Sequence, residues 1–237
     1  MGLFGTHPDR PPGVGAAPVG RQRGVAVFAD GAHVPGNVPV DIASLGVDWY
    51  AANLHKWALA PRSSGFLWIA ETRRGTTRPL VASWGLDNGL AAEFDHPGTR
   101  DPTPFLAAPF ALELLAELGG GSTAAVYRHN HELALWAGRH LAERLGVPFD
   151  TPEEMIGSMV TVRLPGALGS SESEAVAIRG ALQAQRIEAP VFEVGDGLGV
   201  RVCAQAYCTR EDVERLAATL AELAVAATRG RARGVTR

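Results

Sequence analysis

Lysine is almost absent from this sequence of 237 residues. Of its 22 basic residues of the Lys and Arg types, Lys56 is the only lysine and the rest are arginines. Arginine supplies charge and ion pairs, but its guanidinium group stays protonated and cannot act as a reactive amine. Lys56 stands in the apolar and aromatic segment Asn53–Trp57, where an ammonium ion loses hydration. A lone lysine in that setting indicates amine chemistry. The alternative is that Lys56 is retained by chance and has a structural role.

Cysteine is nearly as scarce. Cys203 and Cys208 are the only two, and their spacing matches neither a CxxC motif nor a zinc site. A reduced, cytoplasmic setting is therefore expected. His129 and His131 stand two residues apart on a predicted helix, so they do not share a face as metal ligands would. No metal site is predicted.

Long apolar runs and a large net charge are also lacking. No run is long enough to span a bilayer, and the first 24 residues contain no apolar core of the signal-peptide type. The net charge is −3, so the chain as a whole does not attract nucleic acid or an anionic membrane, and neither is expected as a partner. With 46% hydrophobic residues, the chain can bury a sizeable core, in one large domain or two smaller ones.

The first half of the sequence predicts an α/β sheet. Residues 1–24 are rich in Gly, Pro and Arg and are expected to be irregular. The run Val25–Ala29 is typical of a strand buried on both faces, and two more strands are predicted over Trp49–Asn53 and Gly65–Ile69. Strands that are separated by helical crossovers indicate a parallel arrangement. Residues 75–103 contain much Gly, Pro and Thr and are expected to form a long loop.

The second half predicts two long helices followed by a small α+β layer. The helices cover about 104–119 and 122–146, and the layer comprises strands Met159–Leu164, near Ile187–Phe192 and Leu198–Cys203 with helices Glu172–Gln185 and Arg210–Ala226. We therefore expect an irregular segment (1–24), the remainder of a large domain (25–121), and a connecting helix with a small C-terminal domain (122–237).

Asp30 closes the first predicted strand, and Lys56 follows the second. In an open α/β sheet both would emerge at the carboxyl edge, where ligands bind. A carboxylate and a lysine there suit pyridoxal 5'-phosphate, because the lysine bonds to the cofactor's aldehyde carbon and the carboxylate pairs with the pyridine nitrogen. Asp-Gly after a strand is more often only a turn, so Asp30 alone would predict little.

Four ordered motifs carry a resemblance to one family. They are Asp30–His33, Asn53–Trp57 with Ala60–Phe66, Glu93–Asp95 with Gly98–Pro102, and Arg201–Tyr207. Together they closely resemble class V aminotransferase-fold enzymes, which are fold type I pyridoxal-phosphate proteins, and the isopenicillin N epimerase-like subgroup in particular. The resemblance covers nearly everything after Gly24. It implies the C-terminal part of a fold type I transferase, with an incomplete, mainly parallel sheet and a small α+β C-terminal domain.

The resemblance implies roles at the cofactor for five residues. Lys56 matches the Schiff-base lysine, which also acts as the base at the substrate's α-carbon, and Asp30 matches the partner of the pyridinium nitrogen. His33 matches a residue that hydrogen-bonds near the cofactor's phenolic oxygen, with a turn histidine at a strand edge as the alternative. Asn53 and His55 match positions that contact the phosphate, although the family often has Ser or Thr where Asn53 stands.

Two more roles concern the partner subunit and the substrate. Thr99 matches a threonine that reaches the phosphate in the neighbouring subunit's site, which implies a homodimer; a Gly-Thr turn is an equal alternative. Arg201 matches the arginine that binds the substrate α-carboxylate, with a buried salt bridge as the alternative. The implied substrate is an amino acid or a peptide-like amine with a free carboxylate.

Several reactions stay open: epimerisation, transamination and cleavage by a carbon–sulfur lyase. A cysteine desulfurase is less expected, because Ile187–Val200 contains no cysteine that could act as its nucleophile. The family also carries a long segment before the Asp30 strand, with the phosphate-binding loop and a stacking aromatic residue. Only residues 1–24 stand there in this sequence, so an N-terminally truncated chain or C-terminal fragment with an exposed apolar sheet edge is expected. A non-catalytic remnant or subunit without the phosphate cradle is the alternative to an enzyme.

Overall fold

The structure is a computed structural model that describes residues 16–234 and divides them into two units between Ala125 and Val126. Each unit contains one three-stranded sheet. Among the helices of residues 16–234, none is both long enough and apolar enough to cross a bilayer.

The first unit is built around a mixed sheet. Its elements are α1 (Ala16–Gln22), β1 (Phe28–Asp30), β2 (Trp49–Asn53), β3 (Gly65–Ile69), α2 (Leu90–Asp95) and α3 (Thr103–Leu118), with single 3₁₀ turns at Ala43–Leu45 and Glu71–Arg73. The sheet order is β1-β2-β3; β1 and β2 are parallel, and β2 and β3 are antiparallel. The predicted α/β class is confirmed. The predicted parallel arrangement is confirmed for β1 and β2 and is wrong for β3. Residues 54–64 are fewer than the dozen or more that a parallel crossover requires, so β3 returns beside β2 in the opposite direction.

Three expectations about the first unit are corrected. The segment predicted to be irregular contains α1, whose Arg21 donates a hydrogen bond to the Gly46 carbonyl at 2.8 Å, while residues 1–15 lie outside the part described. Such a tertiary contact leaves no periodic signal in the sequence. The prediction that the strand over Val25–Ala29 is buried on both faces is wrong. β1 begins only at Phe28, and the Phe28 side chain is 58% exposed because β1 lies at the edge of the sheet. The predicted loop 75–103 contains the short helix α2.

Two small apolar clusters hold the first unit together. One joins the turn after β1 to the sheet through Val34, Leu45, Val47, Tyr50 and Ala52. The other packs Leu54 and Ala60, beyond β2, against Ala108 and Ala111 of α3. Both clusters therefore fix the segments that begin where β1 and β2 end, which is where the candidate catalytic residues lie.

The second unit is an α+β layer with a larger core. Its elements are α4 (Thr123–Leu145, which begins just before the boundary), β4 (Met159–Arg163), α5 (Glu172–Ala184), β5 (Val191–Val194), β6 (Gly197–Cys203) and α6 (Arg210–Gly234), with 3₁₀ turns at Glu153–Met155 and Gly166–Leu168. The antiparallel sheet has the order β4-β6-β5, and side chains such as Leu141, Leu182 and Leu220 are fully buried beside it. β5 begins after Pro190, later than predicted, because proline has no N–H to donate to a ladder.

Candidate active site

The sole lysine lies against a histidine from the turn after β1. Lys56 Nζ is 3.2 Å from His33 Nε2, although the two residues are 23 positions apart in the sequence. The opposite ring nitrogen, His33 Nδ1, accepts a hydrogen bond of 3.2 Å from the indole Nε1 of Trp57. The structure therefore brings Lys56 and His33 together and joins Trp57 to them. The expected loss of hydration at Lys56 is wrong, because Trp57 and Ala58 are buried whereas Lys56 itself is exposed.

Parallel pairing of β1 and β2 explains why these distant segments meet. Asp30 lies opposite Ala51 in the register, so the chain leaves both strands at the same edge of the sheet. The turn after β1 is closed by a hydrogen bond of 2.9 Å from the Val34 N–H to the Gly31 carbonyl. At Gly36 (φ +84°) this turn approaches the backbone of Trp57 so closely that a Cβ atom would lie 2.2 Å from the Trp57 carbonyl carbon.

The loop that carries Lys56 is closed around the buried Ser64. The Ser64 carbonyl oxygen accepts a hydrogen bond of 3.1 Å from the Leu54 N–H, and the same oxygen lies 2.8 Å from His55 Nδ1. Its hydroxyl donates to the Pro61 carbonyl at 2.8 Å. A carbonyl oxygen can only accept, so His55 carries a proton on Nδ1. These bonds fix both ends of the loop on either side of Lys56.

Asp30 lies beside a buried tyrosine. One of its carboxylate oxygens accepts a hydrogen bond of 2.9 Å from the Ala32 N–H. Burial, and secondly the negative charge of Asp30, raise the pKa of Tyr50 to about 12. The phenol is therefore protonated at neutral pH, and its buried hydroxyl has no hydrogen-bond partner within the described part of the chain. Gly31 packs against this ring, since a Cβ atom there would lie 2.1 Å from Tyr50 Cζ.

Two other predicted residues of the first unit lie at different points. Asn53 is the last residue of β2, half-buried and three positions before Lys56. Thr99 lines a cavity of about 370 Å³ together with Asp95, His96 and Arg100. The guanidinium carbon of Arg100 lies 4.9 Å from the centre of the Phe105 ring in the same cavity. The partner-subunit role of Thr99 stays a prediction.

Arg201 belongs to the second unit, where it lies in β6 opposite Thr161. Its guanidinium carbon is 5.9 Å from the centre of the Phe192 ring, and its Nε is buried without a hydrogen-bond partner among residues 16–234. It lines a cavity of about 290 Å³ that is also bordered by Arg186 and Cys203. An incompletely bonded guanidinium beside a cavity can bind a carboxylate, so the predicted substrate role stays open.

Two contributors to the site are not among the residues predicted from the sequence. Tyr50 lies within a predicted strand, and an alternation pattern does not show that its hydroxyl comes near Asp30. Trp57 follows Lys56 directly and ends the motif Asn53–Trp57, and these are the only signals that it belongs to the site. Its bond to His33 depends on the approach of two loops, and that approach is a property of the fold.

Comparison with known proteins identifies the family of the sequence. The sequence model of the class V aminotransferase family matches residues 15–216. Isopenicillin N epimerase of Streptomyces clavuligerus is 37% identical over 218 residues, which cover 84% of this chain and 53% of that protein. A probable chloroplastic L-cysteine desulfhydrase of Arabidopsis thaliana is 38% identical over 210 residues, covering 83% of this chain and 44% of that protein.

A solved structure shares the fold. It is a variant of the cystine C–S lyase C-DES with glycine covalently linked to its pyridoxal-phosphate cofactor. The TM-score is 0.69 at 23% identity, with 92% of this chain and 58% of that chain covered. The chain thus spans about half the length of the curated relatives it matches. Because the family model matches most of its residues, the chain belongs to the class V aminotransferase family of pyridoxal-phosphate-dependent enzymes.

Proposed function

We propose that this chain carries the lysine-bearing part of a pyridoxal-phosphate-dependent enzyme that acts at the α-carbon of an amino acid or a peptide-like amine. The reaction we favour is epimerisation or transamination. The observation that carries the proposal is the contact of 3.2 Å between Lys56 Nζ and His33 Nε2, at the sheet edge where Asp30 also ends its strand.

The residues at this edge fit the cofactor. Asp30 offers an exposed carboxylate for a protonated pyridine nitrogen, and Lys56 offers the only lysine amine of the chain for the aldehyde carbon. The buried Tyr50 hydroxyl beside Asp30 has no hydrogen-bond partner among residues 16–234 and is a polar group of the kind that a bound ligand can satisfy. His33, Asn53 and His55 are the residues that would hold the cofactor's phenolic and phosphate oxygens.

Each side chain has a task that follows from its contacts. Bound pyridoxal phosphate would supply an electron sink for the electron pair left when a bond at the α-carbon breaks. Lys56 Nζ, held by His33, would take the α-proton and return it, and a return to the other face inverts the centre. The Asp30 carboxylate would keep the pyridine nitrogen protonated through its negative charge.

His55 can reach the phosphate through only one of its ring nitrogens. Its Nδ1 proton is committed to the Ser64 carbonyl, so only Nε2 can face a ligand. We therefore propose that His55 contacts the phosphate through Nε2.

Two further parts of the proposal concern other residues. We propose that the enzyme is a cytoplasmic homodimer in which Thr99 of one protomer contributes to its partner's phosphate site. Arg201 would bind the substrate α-carboxylate, which matches its buried Nε, a donor without a hydrogen-bond partner among the described residues. Similarity to an isopenicillin N epimerase favours a peptide-like substrate with a free carboxylate.

Selective capture of the cofactor by the folded chain tests the proposal. We expect pyridoxal phosphate followed by borohydride to attach one cofactor per chain, at the peptide that contains Lys56, measured by absorbance and peptide mass. The matched control is the same chain unfolded in urea, which offers the same amine without His33 or Asp30 beside it. Equal capture by the folded and unfolded chains would contradict the proposal.

Carbon–sulfur cleavage is the second candidate, because the chain is also similar to an L-cysteine desulfhydrase. Reaction products separate the two. With cofactor in D₂O, an epimerase or transaminase is expected to exchange the α-proton of amino acids, as followed by NMR, without releasing sulfide from L-cysteine. Sulfide and pyruvate from L-cysteine would overturn the favoured reaction in favour of the lyase. Absence of both activities despite selective capture would indicate the non-catalytic remnant.

A further inference from the structure

We propose that Trp57 is a positioning residue that sets the position of the proton on His33, and thereby directs the Nε2–H of that ring toward Lys56 Nζ. This inference deepens the proposed function, and it depends on that function only for the reaction of Lys56 with the cofactor and substrate. It rests on three groups in a row: Trp57 Nε1, the imidazole of His33, and Lys56 Nζ, with both hydrogen bonds at 3.2 Å.

The first step concerns the indole. An indole N–H is a donor and has no acceptor site, so the bond from Trp57 Nε1 ends on an unprotonated Nδ1 of His33. An imidazolium would carry protons on both ring nitrogens and would place N–H against N–H. The tryptophan contact therefore selects the neutral ring with its single proton on Nε2.

The second step concerns the lysine. A His33 ring in this tautomer points its Nε2–H at Lys56 Nζ. A lone pair on Nζ can accept this bond, and the same lone pair is what reacts with an aldehyde or takes up an α-proton. The His33 ring thus places its donor against the nitrogen that the proposed chemistry uses.

The third step concerns how firmly the donor is held. Trp57 is only 7% exposed, and the next residue, Ala58, is completely buried. The backbone of Trp57 lies against Gly36 in the turn that follows His33. The hydrogen bond to His33 and the contact with Gly36 therefore hold the two loops together at Trp57. As a result, the indole N–H keeps its direction toward the imidazole ring.

Nitrogen NMR of the histidine rings tests the inference without any enzyme activity. In the ¹⁵N-histidine-labelled chain, we expect His33 to show the tautomer protonated on Nε2, with His33→Asn identifying its signals. Trp57→Phe keeps an aromatic ring but removes the donor, and it should shift His33 toward the Nδ1-protonated or doubly protonated form. Trp136→Phe in the second unit is the matched control and should leave His33 unchanged. An unchanged tautomer in Trp57→Phe would overturn the proposal.

Reactivity of the sole lysine gives a second readout. We expect Trp57→Phe to slow arylation of Lys56 by an excess of trinitrobenzenesulfonate at neutral pH about threefold to tenfold, which corresponds to one hydrogen bond. The control variant Trp136→Phe should react at the original rate. Equal rates in Trp57→Phe and the parent chain would contradict the effect of Trp57 on the reactivity of Lys56. Failure of cofactor capture with these two results intact would instead refute the proposed function alone.

Discussion

Replacing Lys56 with arginine is expected to abolish covalent capture of pyridoxal 5'-phosphate by the folded chain. The variant keeps a positive charge and a long flexible side chain at the same place, but a guanidinium cannot bond to the aldehyde carbon. Because Lys56 is the only lysine, no other side-chain amine can replace it. Borohydride-fixed cofactor should fall to the level of the chain's N-terminal amine, a loss of about a hundredfold if the site is selective by about 2.7 kcal/mol.

A double variant distinguishes the effect of the surroundings of Lys56 from the effect of having a lysine amine in this loop. Lys56→Arg combined with Arg62→Lys returns one lysine to the same loop, six positions away at an exposed residue. This chain has the original composition but presents its amine without His33 beside it. We expect its capture rate to match the unfolded parent chain, as measured by the mass of the labelled peptide. Capture at the parental folded rate would show that any exposed lysine of this loop suffices.

The parts of the fold that could be predicted are those with a local signal. β2 and β3 have their predicted bounds because apolar runs end at turn residues, and α3 lies within one residue of its prediction because its periodicity is helical. α1 and the exposed edge at Phe28 could not be predicted, because they depend on which parts of the chain lie alongside them.

The candidate site divides in the same way. Asp30 and Lys56 could be placed at one sheet edge because each follows a predicted strand and parallel strands end together. The Trp57–His33 bond joins residues 24 positions apart through two irregular loops, and no periodic pattern encodes such an approach. The tautomer of His33 is therefore information that only the three-dimensional structure provides.

The turn that carries His33 also depends on the absence of one side chain. Gly36 has φ +84°, and a Cβ atom there would lie 2.2 Å from both the carbonyl carbon and the carbonyl oxygen of Trp57. Left-handed backbone costs a residue with a side chain about 1–2 kcal/mol, and forcing apart packed backbone adds about 1–3 kcal/mol. Gly36→Ala is therefore expected to lower the free energy of unfolding by about 2–5 kcal/mol, measured by urea titration of tryptophan fluorescence.

Gly120→Ala isolates the contribution of the contact with Trp57. Gly120 belongs to the same unit and has φ +67°, but no atom of the described residues lies within 4 Å of the place that an added methyl group would take. Its replacement therefore carries only the backbone cost of about 1–2 kcal/mol. The larger loss in Gly36→Ala should be accompanied by a change in the His33 tautomer, since the new methyl group pushes the backbone of Trp57 away from the turn. Equal losses in the two variants, with His33 unchanged, would mean that the turn and the lysine loop are not locked together at Gly36.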